Sequence, residues 1–126
     1  MLSIMIIDDS EADQFLAAHV IEEFDPDIEV MQAYDGQEAL DILKDLPKQP
    51  DVIFLDINMP RMNGHDFLKV YDTWNERAVV IVMLTSSDQD IDKAKSRAHN
   101  SVVDYFTKPL NAHCLKTIKQ YSKDEN

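Results

Sequence analysis

Two hydrophobic periodicities alternate along the chain. Ser3–Ile7 is a short apolar run, and Ala12, Phe15, Leu16, Val20 and Phe24 then recur at helical spacing. Ser10, with Asp13 three residues on, reads as the cap of that helix. Asp25-Pro26-Asp27 ends it as a turn, and Ile28 to Ala33 reads as a strand. Asp35 reads as the next N-cap, ahead of a stripe of Ala39, Leu40, Leu43 and Leu46. Val52-Ile53-Phe54-Leu55 is apolar throughout, the pattern of a strand buried on both faces. After a loop from Asp56 to Gly64, the residues Phe67, Leu68, Tyr71 and Trp74 mark a third helix. Ala78 to Leu84 and Val102 to Phe106 read as the last two strands. The segment from Asp88 to about His99 is a polar helix with only Ile91, Ala94 and Ala98 on its apolar side, and Asn111 caps a final helix carrying Cys114, Leu115 and Ile118.

Strands that alternate with helices imply a parallel sheet covered on both faces. The pattern predicts an α/β, doubly wound, five-stranded parallel sheet with about five helices. The 126 residues fit one domain, read as 1–126, and suffice for a core without covalent staples. A single cysteine excludes a disulfide within the chain and fits a reducing compartment such as the cytoplasm. The N-terminal stretch lacks the basic leader and length of a signal peptide. No run approaches the roughly 18 apolar residues of a membrane span. A soluble, cytoplasmic protein is expected. The net charge of −12 would be repelled by a phosphate backbone, so direct nucleic-acid binding is not expected.

In sheets of this kind ligands sit at the carboxyl ends of the strands. Those ends carry Asp8 and Asp9, then Asp56, then Thr85 and Ser86, then Lys108 with Pro109. Three carboxylates gathered at one edge repel one another unless a cation, a proton or a lysine offsets them. Magnesium suits an all-oxygen site that shares ligands with phosphate. A carboxylate can accept a phosphoryl group as an acyl phosphate. Lys108 and the metal would then neutralise the transferring charge, and Thr85 would hydrogen-bond a phosphoryl oxygen.

The stretches Ile6-Ile7-Asp8-Asp9, Phe54 to Gly64, Leu84-Thr85-Ser86 and Asp104 to Pro109 resemble a two-component response regulator receiver domain, of the kind found in the chemotaxis response regulator. They run in that family's order and spacing over nearly the whole chain. The resemblance implies a flavodoxin-like strand order of 2-1-3-4-5. It implies Asp56 as phosphoacceptor, and Asp9, Asp56 and the carbonyl of Asn58 as magnesium ligands, with Asp8 acting largely through water. It implies that Lys108 pairs with Asp56 and then with the phosphoryl group, and that Lys108–Pro109 is a cis bond. Thr85 and Tyr105 match the switch pair. Asn58 and Ser87 match variable positions that tune phosphoryl lifetime, Ser86 stands where a smaller residue is usual, and Ser101-Val102 replaces the usual Gly-Ala.

The expected function is a stand-alone receiver with no effector domain. It takes a phosphoryl group from a sensor histidine kinase or histidine phosphotransfer protein, acts on a downstream protein, and is a monomer or weak dimer. The weak apolar face of Ile91, Ala94 and Ala98 predicts an easily displaced helix that passes the signal on with the Tyr105 strand and the last helix. His19, His65, His99 and His113 have no metal-ligand spacing, and none reads as a phosphodonor. Gly64 reads as serving the backbone, and Met59, Met62 and Met83 as packing. Two other readings compete. A magnesium-dependent phosphatase of the haloacid dehalogenase type uses Asp-x-Asp, and Asp56-Ile57-Asn58 puts an amide where its general acid would be. An unphosphorylated pseudo-receiver usually lacks an acidic residue or the lysine, and all are present here.

Overall fold

The computed structural model describes residues 2–78, 80–86 and 101–123. Five strands run β1 (Ser3–Ile7), β2 (Glu29–Ala33), β3 (Val52–Leu55), β4 (Val80–Thr85) and β5 (Val102–Thr107). Four helices run α1 (Glu11–Phe24), α2 (Gly36–Asp45), α3 (Gly64–Tyr71) and α4 (Ala112–Lys123). The expected helix from Asp88 to His99, the first of the three elements of the expected signal route, lies outside the described residues, as does Ser87.

All strands pair in parallel in the order β2-β1-β3-β4-β5, as expected. Period-two alternation along each strand sorts side chains to two cores. Met5, Ile7, Ile53, Leu55, Ile81 and Met83 face one side, under α2 and α3. Ile4, Ile6, Val52, Phe54, Val82 and Leu84 face the other, under α1 and α4. Right-handed crossovers place helices in this way when the strand order reverses beside β1.

Local capping starts the helices where the sequence pattern puts them. Ser10 Oγ accepts from the Asp13 N–H at 3.2 Å, Asp35 Oδ1 from the Glu38 N–H at 2.8 Å, and Asn111 Oδ1 from the Cys114 N–H at 3.1 Å. Asn63 caps α3 through the Asp66 N–H at 2.9 Å. In α2, Ala39, Leu40 and Leu43 are buried as expected, and so are Leu115 and Ile118 in α4; Cys114, expected to be half-buried, is buried beside them.

The apolar stripe expected on α1 is corrected. Phe15 is 71 % exposed and Leu16 52 %, and Ala12 is exposed as well. The inward line is Gln14, Ala17 and Ile21, with Val20 and Phe24 half-buried beside it. Gln14 is buried because its Nε2 amide lies 3.0 Å from the Ile6 carbonyl, 3.1 Å from that of Asp8 and 2.9 Å from that of Ala33. Bonds to strand-end carbonyls satisfy its N–H donors, although Oε1 finds no partner among the described residues, and they draw Gln14 inward, so hydropathy misplaces the face by a fraction of a turn.

Candidate functional site

The site lies at the carboxyl ends of β1 and β3, the two strands flanking the point where strand order reverses. Asp8 and Asp9 follow β1 directly, and Asp56 follows β3. The Asp56 N–H extends the ladder by donating to the Ile7 carbonyl at 2.9 Å, and the Asp8 N–H donates to the Ala33 carbonyl at 3.0 Å. The sheet therefore aims these carboxylates from its end. Asp8 and Asp56 are buried and Asp9 is exposed. One carboxylate oxygen from each of the three lies within 4.8 Å of the others. Such an all-oxygen, anionic donor set fits a hard divalent cation, and mutual repulsion gives a strong reason to bind one.

Lys108 reaches this cluster from the loop between β5 and α4. Its Nζ lies 2.6 Å from Asp8 Oδ2, 2.8 Å from Asp13 Oδ2 and 3.5 Å from Asp56 Oδ2. Its side chain is 14 % exposed. Burial by itself would lower the lysine pKa, but the bonds to Asp13 and Asp8 and the charge of Asp56 outweigh it, so the pKa is raised. Burial raises the Asp8 pKa, helped by the Asp56 charge and opposed by the bonds from Lys108 and the Ser10 N–H. The Lys108–Pro109 bond is cis, as expected.

The expected pairing of Lys108 with Asp56 is thus the longest of its three contacts. Asp13 is the residue that sequence reading missed, since its place three residues after Ser10 points only to helix capping. Its one sequence signal is a place in the first turn of the helix that follows Asp8 and Asp9. Asn58 is exposed, two residues after Asp56. Thr85 ends β4 and pairs with Thr107 of β5. Its side chain lies outside what the structure describes. Tyr105 is half-buried and packs against the core under α2 and α3.

The loop after Asp56 is held from two sides. Asp56 Oδ1 accepts from the Ile57 N–H at 2.8 Å, and the Gly64 N–H donates to the Ile57 carbonyl at 2.9 Å. Arg61, with φ of 64°, pairs its guanidinium with Asp35, whose carboxyl also caps α2. Burial pushes the Asp35 pKa up, but the Glu38 N–H and Arg61 pull it below the usual carboxylate value. The Gly36 N–H donates to the Met62 carbonyl at 3.2 Å, joining the same two segments.

Among the described residues no helix is long and apolar enough to cross a membrane. The family model of the response regulator receiver domain matches residues 4–119. The protein PilG of Pseudomonas aeruginosa is 34 % identical over 111 residues, covering 87 % of this chain and 78 % of PilG. The sensor histidine kinase CheAY of Helicobacter pylori is 28 % identical over 120 residues, covering 94 % of this chain and 15 % of CheAY. The chain spans 15 % of that kinase and 28–32 % of three protein-glutamate methylesterases that it also matches. A two-component response regulator structure from Cytophaga hutchinsonii superposes with a TM-score of 0.85 at 27 % identity, covering 97 % of this chain and 96 % of that one. The strand order, the acidic cluster at the switch point and the lysine beside it agree with these likenesses: the chain belongs to the response regulator receiver domains of two-component systems.

Proposed function

We propose that this receiver accepts a phosphoryl group on Asp56 and uses it to switch protein partners. The carrying observation is the gathering of Asp8, Asp9 and Asp56 within 4.8 Å, with the Lys108 ammonium beside them. An Asp56 oxygen attacks the phosphorus of a phosphohistidine on a sensor kinase or phosphotransfer protein. The O–P bond forms as the P–N bond breaks, and the imidazole leaves with that electron pair, neutral because its other nitrogen carries a proton. Asp8, Asp9, Asp56 and the Asn58 carbonyl would hold Mg²⁺, which supplies charge neutralisation to the phosphoryl oxygens. Lys108 neutralises a further phosphoryl oxygen, in a buried setting where a charge-assisted bond is strong. Thr85 binds a phosphoryl oxygen and Tyr105 turns with it, passing the change to a downstream protein. Water attack on phosphorus later returns phosphate and the Asp56 carboxylate. The chain is the acceptor in this chemistry and not a turnover enzyme, since Asn58 offers no general acid beside Asp56. It acts in the cytoplasm as a monomer or weak dimer and binds neither nucleic acid nor membrane directly.

The test is intact mass after incubation with acetyl phosphate, with and without Mg²⁺, beside Asp56→Asn. One magnesium-dependent phosphoryl adduct, absent in the variant, is expected. No adduct on a folded chain would leave an interaction module without phosphorylation. Steady release of phosphate from common phosphoesters would favour a phosphatase.

A further inference from the structure

Three carboxylates surround the Lys108 ammonium, and they differ in what else they do. Asp8 and Asp56 belong to the acidic cluster that fits a cation. Asp13 does not, yet its Oδ2 accepts from Lys108 Nζ at 2.8 Å, nearer than Asp56 at 3.5 Å. An ammonium has three N–H donors, and its short contacts go to Asp8 and Asp13. The third direction, toward Asp56, is at the outer limit of a hydrogen bond.

The Asp13 side chain is also free of the duty its position suggests. Three residues after an N-cap, an acidic side chain commonly reaches back to the cap N–H. Here the Ser10 N–H donates to Asp8 Oδ1 at 2.9 Å, and Ser10 Oγ takes the Asp13 backbone N–H. The Asp13 carboxylate points instead across to the β5–α4 loop. Asp13, Leu16, Ala17, Lys108 and Pro109 line a small cavity of about 50 Å³, so the lysine stem has room to shift. A cation in the acidic cluster would engage Asp8 and leave Asp13 as the anchor that still competes for Lys108.

We propose that Asp13 is a positioning residue that holds the Lys108 ammonium in a resting place away from Asp56, so that an incoming phosphoryl group must draw the lysine off it. Asp13 thereby restrains phosphorylation. This rests on Asp56 being the acceptor. Removing the Asp13 charge frees the ammonium for the phosphoryl oxygens and speeds transfer, whereas Asp13→Glu keeps the anchor.

The experiment is the initial rate of phosphoryl adduct formation from phosphoramidate with Mg²⁺, read by intact mass on the full chain. In that reaction an Asp56 oxygen bonds to phosphorus as ammonia leaves with the P–N electron pair. Asp13→Asn, Asp13→Glu and Glu11→Gln are compared with the parent, each with a thermal melt to confirm folding. Glu11 lies in the same helical turn and is exposed, so its variant removes the same charge without touching Lys108. Asp13→Asn is expected to react about three- to fivefold faster, the range of a partly exposed ion pair. Asp13→Glu and Glu11→Gln should stay near the parent rate. An Asp13→Asn rate equal to or below the parent, or matched by Glu11→Gln, would overturn the proposal. An adduct missing from the parent itself would instead count against Asp56 as acceptor.

Discussion

Gly64 stands so close to Asp56 that a β-carbon at position 64 would overlap the Asp56 carbonyl oxygen. The same added carbon would sit 3.1 Å from the Ile57 Cα. Gly64 has a negative φ, so its role is close approach and not an unusual turn. Backbone atoms of β3 and its loop cannot yield as a flexible side-chain tip would. Gly64→Ala is therefore expected to cost about 1–3 kcal/mol by overpacking and to shift the Asp56 carboxyl. Chemical denaturation checks the first effect. The rate of adduct formation from acetyl phosphate, expected to fall, checks the second.

Gln14 joins the ends of β1 and β2 through one amide group shared among three carbonyls. Gln14→Leu keeps much of the volume and leaves those acceptors without this donor. A destabilisation of about 1–3 kcal/mol is expected in urea unfolding, with an unchanged m-value. A variant as stable as the parent would show that the carbonyls find other donors.

Tyr71 governs stability on the alkaline side. Its hydroxyl donates to Gln49 Oε1 at 2.7 Å and accepts from the Ala78 N–H at 2.6 Å. Burial pushes its pKa up to about 12. The folded state thus keeps a proton that the unfolded state releases near pH 10. Its contribution is fully present below pH 10 and is lost as pH rises toward about 12. Tyr71→Phe should flatten the fall of unfolding free energy between those values.

Asp35 acts on the acid side. Its lowered pKa means that stability is present above the ordinary carboxylate value and is lost as pH falls below it. Asp35→Asn keeps a good N-cap but cannot titrate or pair with Arg61 as an anion. It should be less stable near neutral pH and show a shallower decline below about pH 4. Unfolding curves from pH 3 to pH 7 decide this.

The sequence pattern was most legible where one physical rule acted alone. Val52–Leu55 is apolar at every position because β3 is covered on both faces, and all four residues are buried. Ser10, Asp35 and Asn111 were readable as caps because a cap needs only a short polar side chain and the next turn. On α1 two rules competed. Phe15 and Leu16 raised the apolar count, but the strand-end carbonyls selected Gln14 for the interior.

The alternation of strand and helix patterns by itself determined the fold class, the four stretches that resemble receiver domains implied the family, and the places of Asp8, Asp9, Asp56 and Lys108 at strand ends marked the acidic site. Strand ends in a doubly wound sheet converge on one edge wherever they lie in the chain. The tertiary structure alone decided how the Lys108 ammonium is shared. Asp13 lies 95 residues from it, and only the packing of α1 beside the β5–α4 loop brings the two to 2.8 Å. Motif spacing carries connectivity along the chain, whereas the choice among three nearby carboxylates rests on differences in distance of less than an ångström, from 2.6 to 3.5 Å.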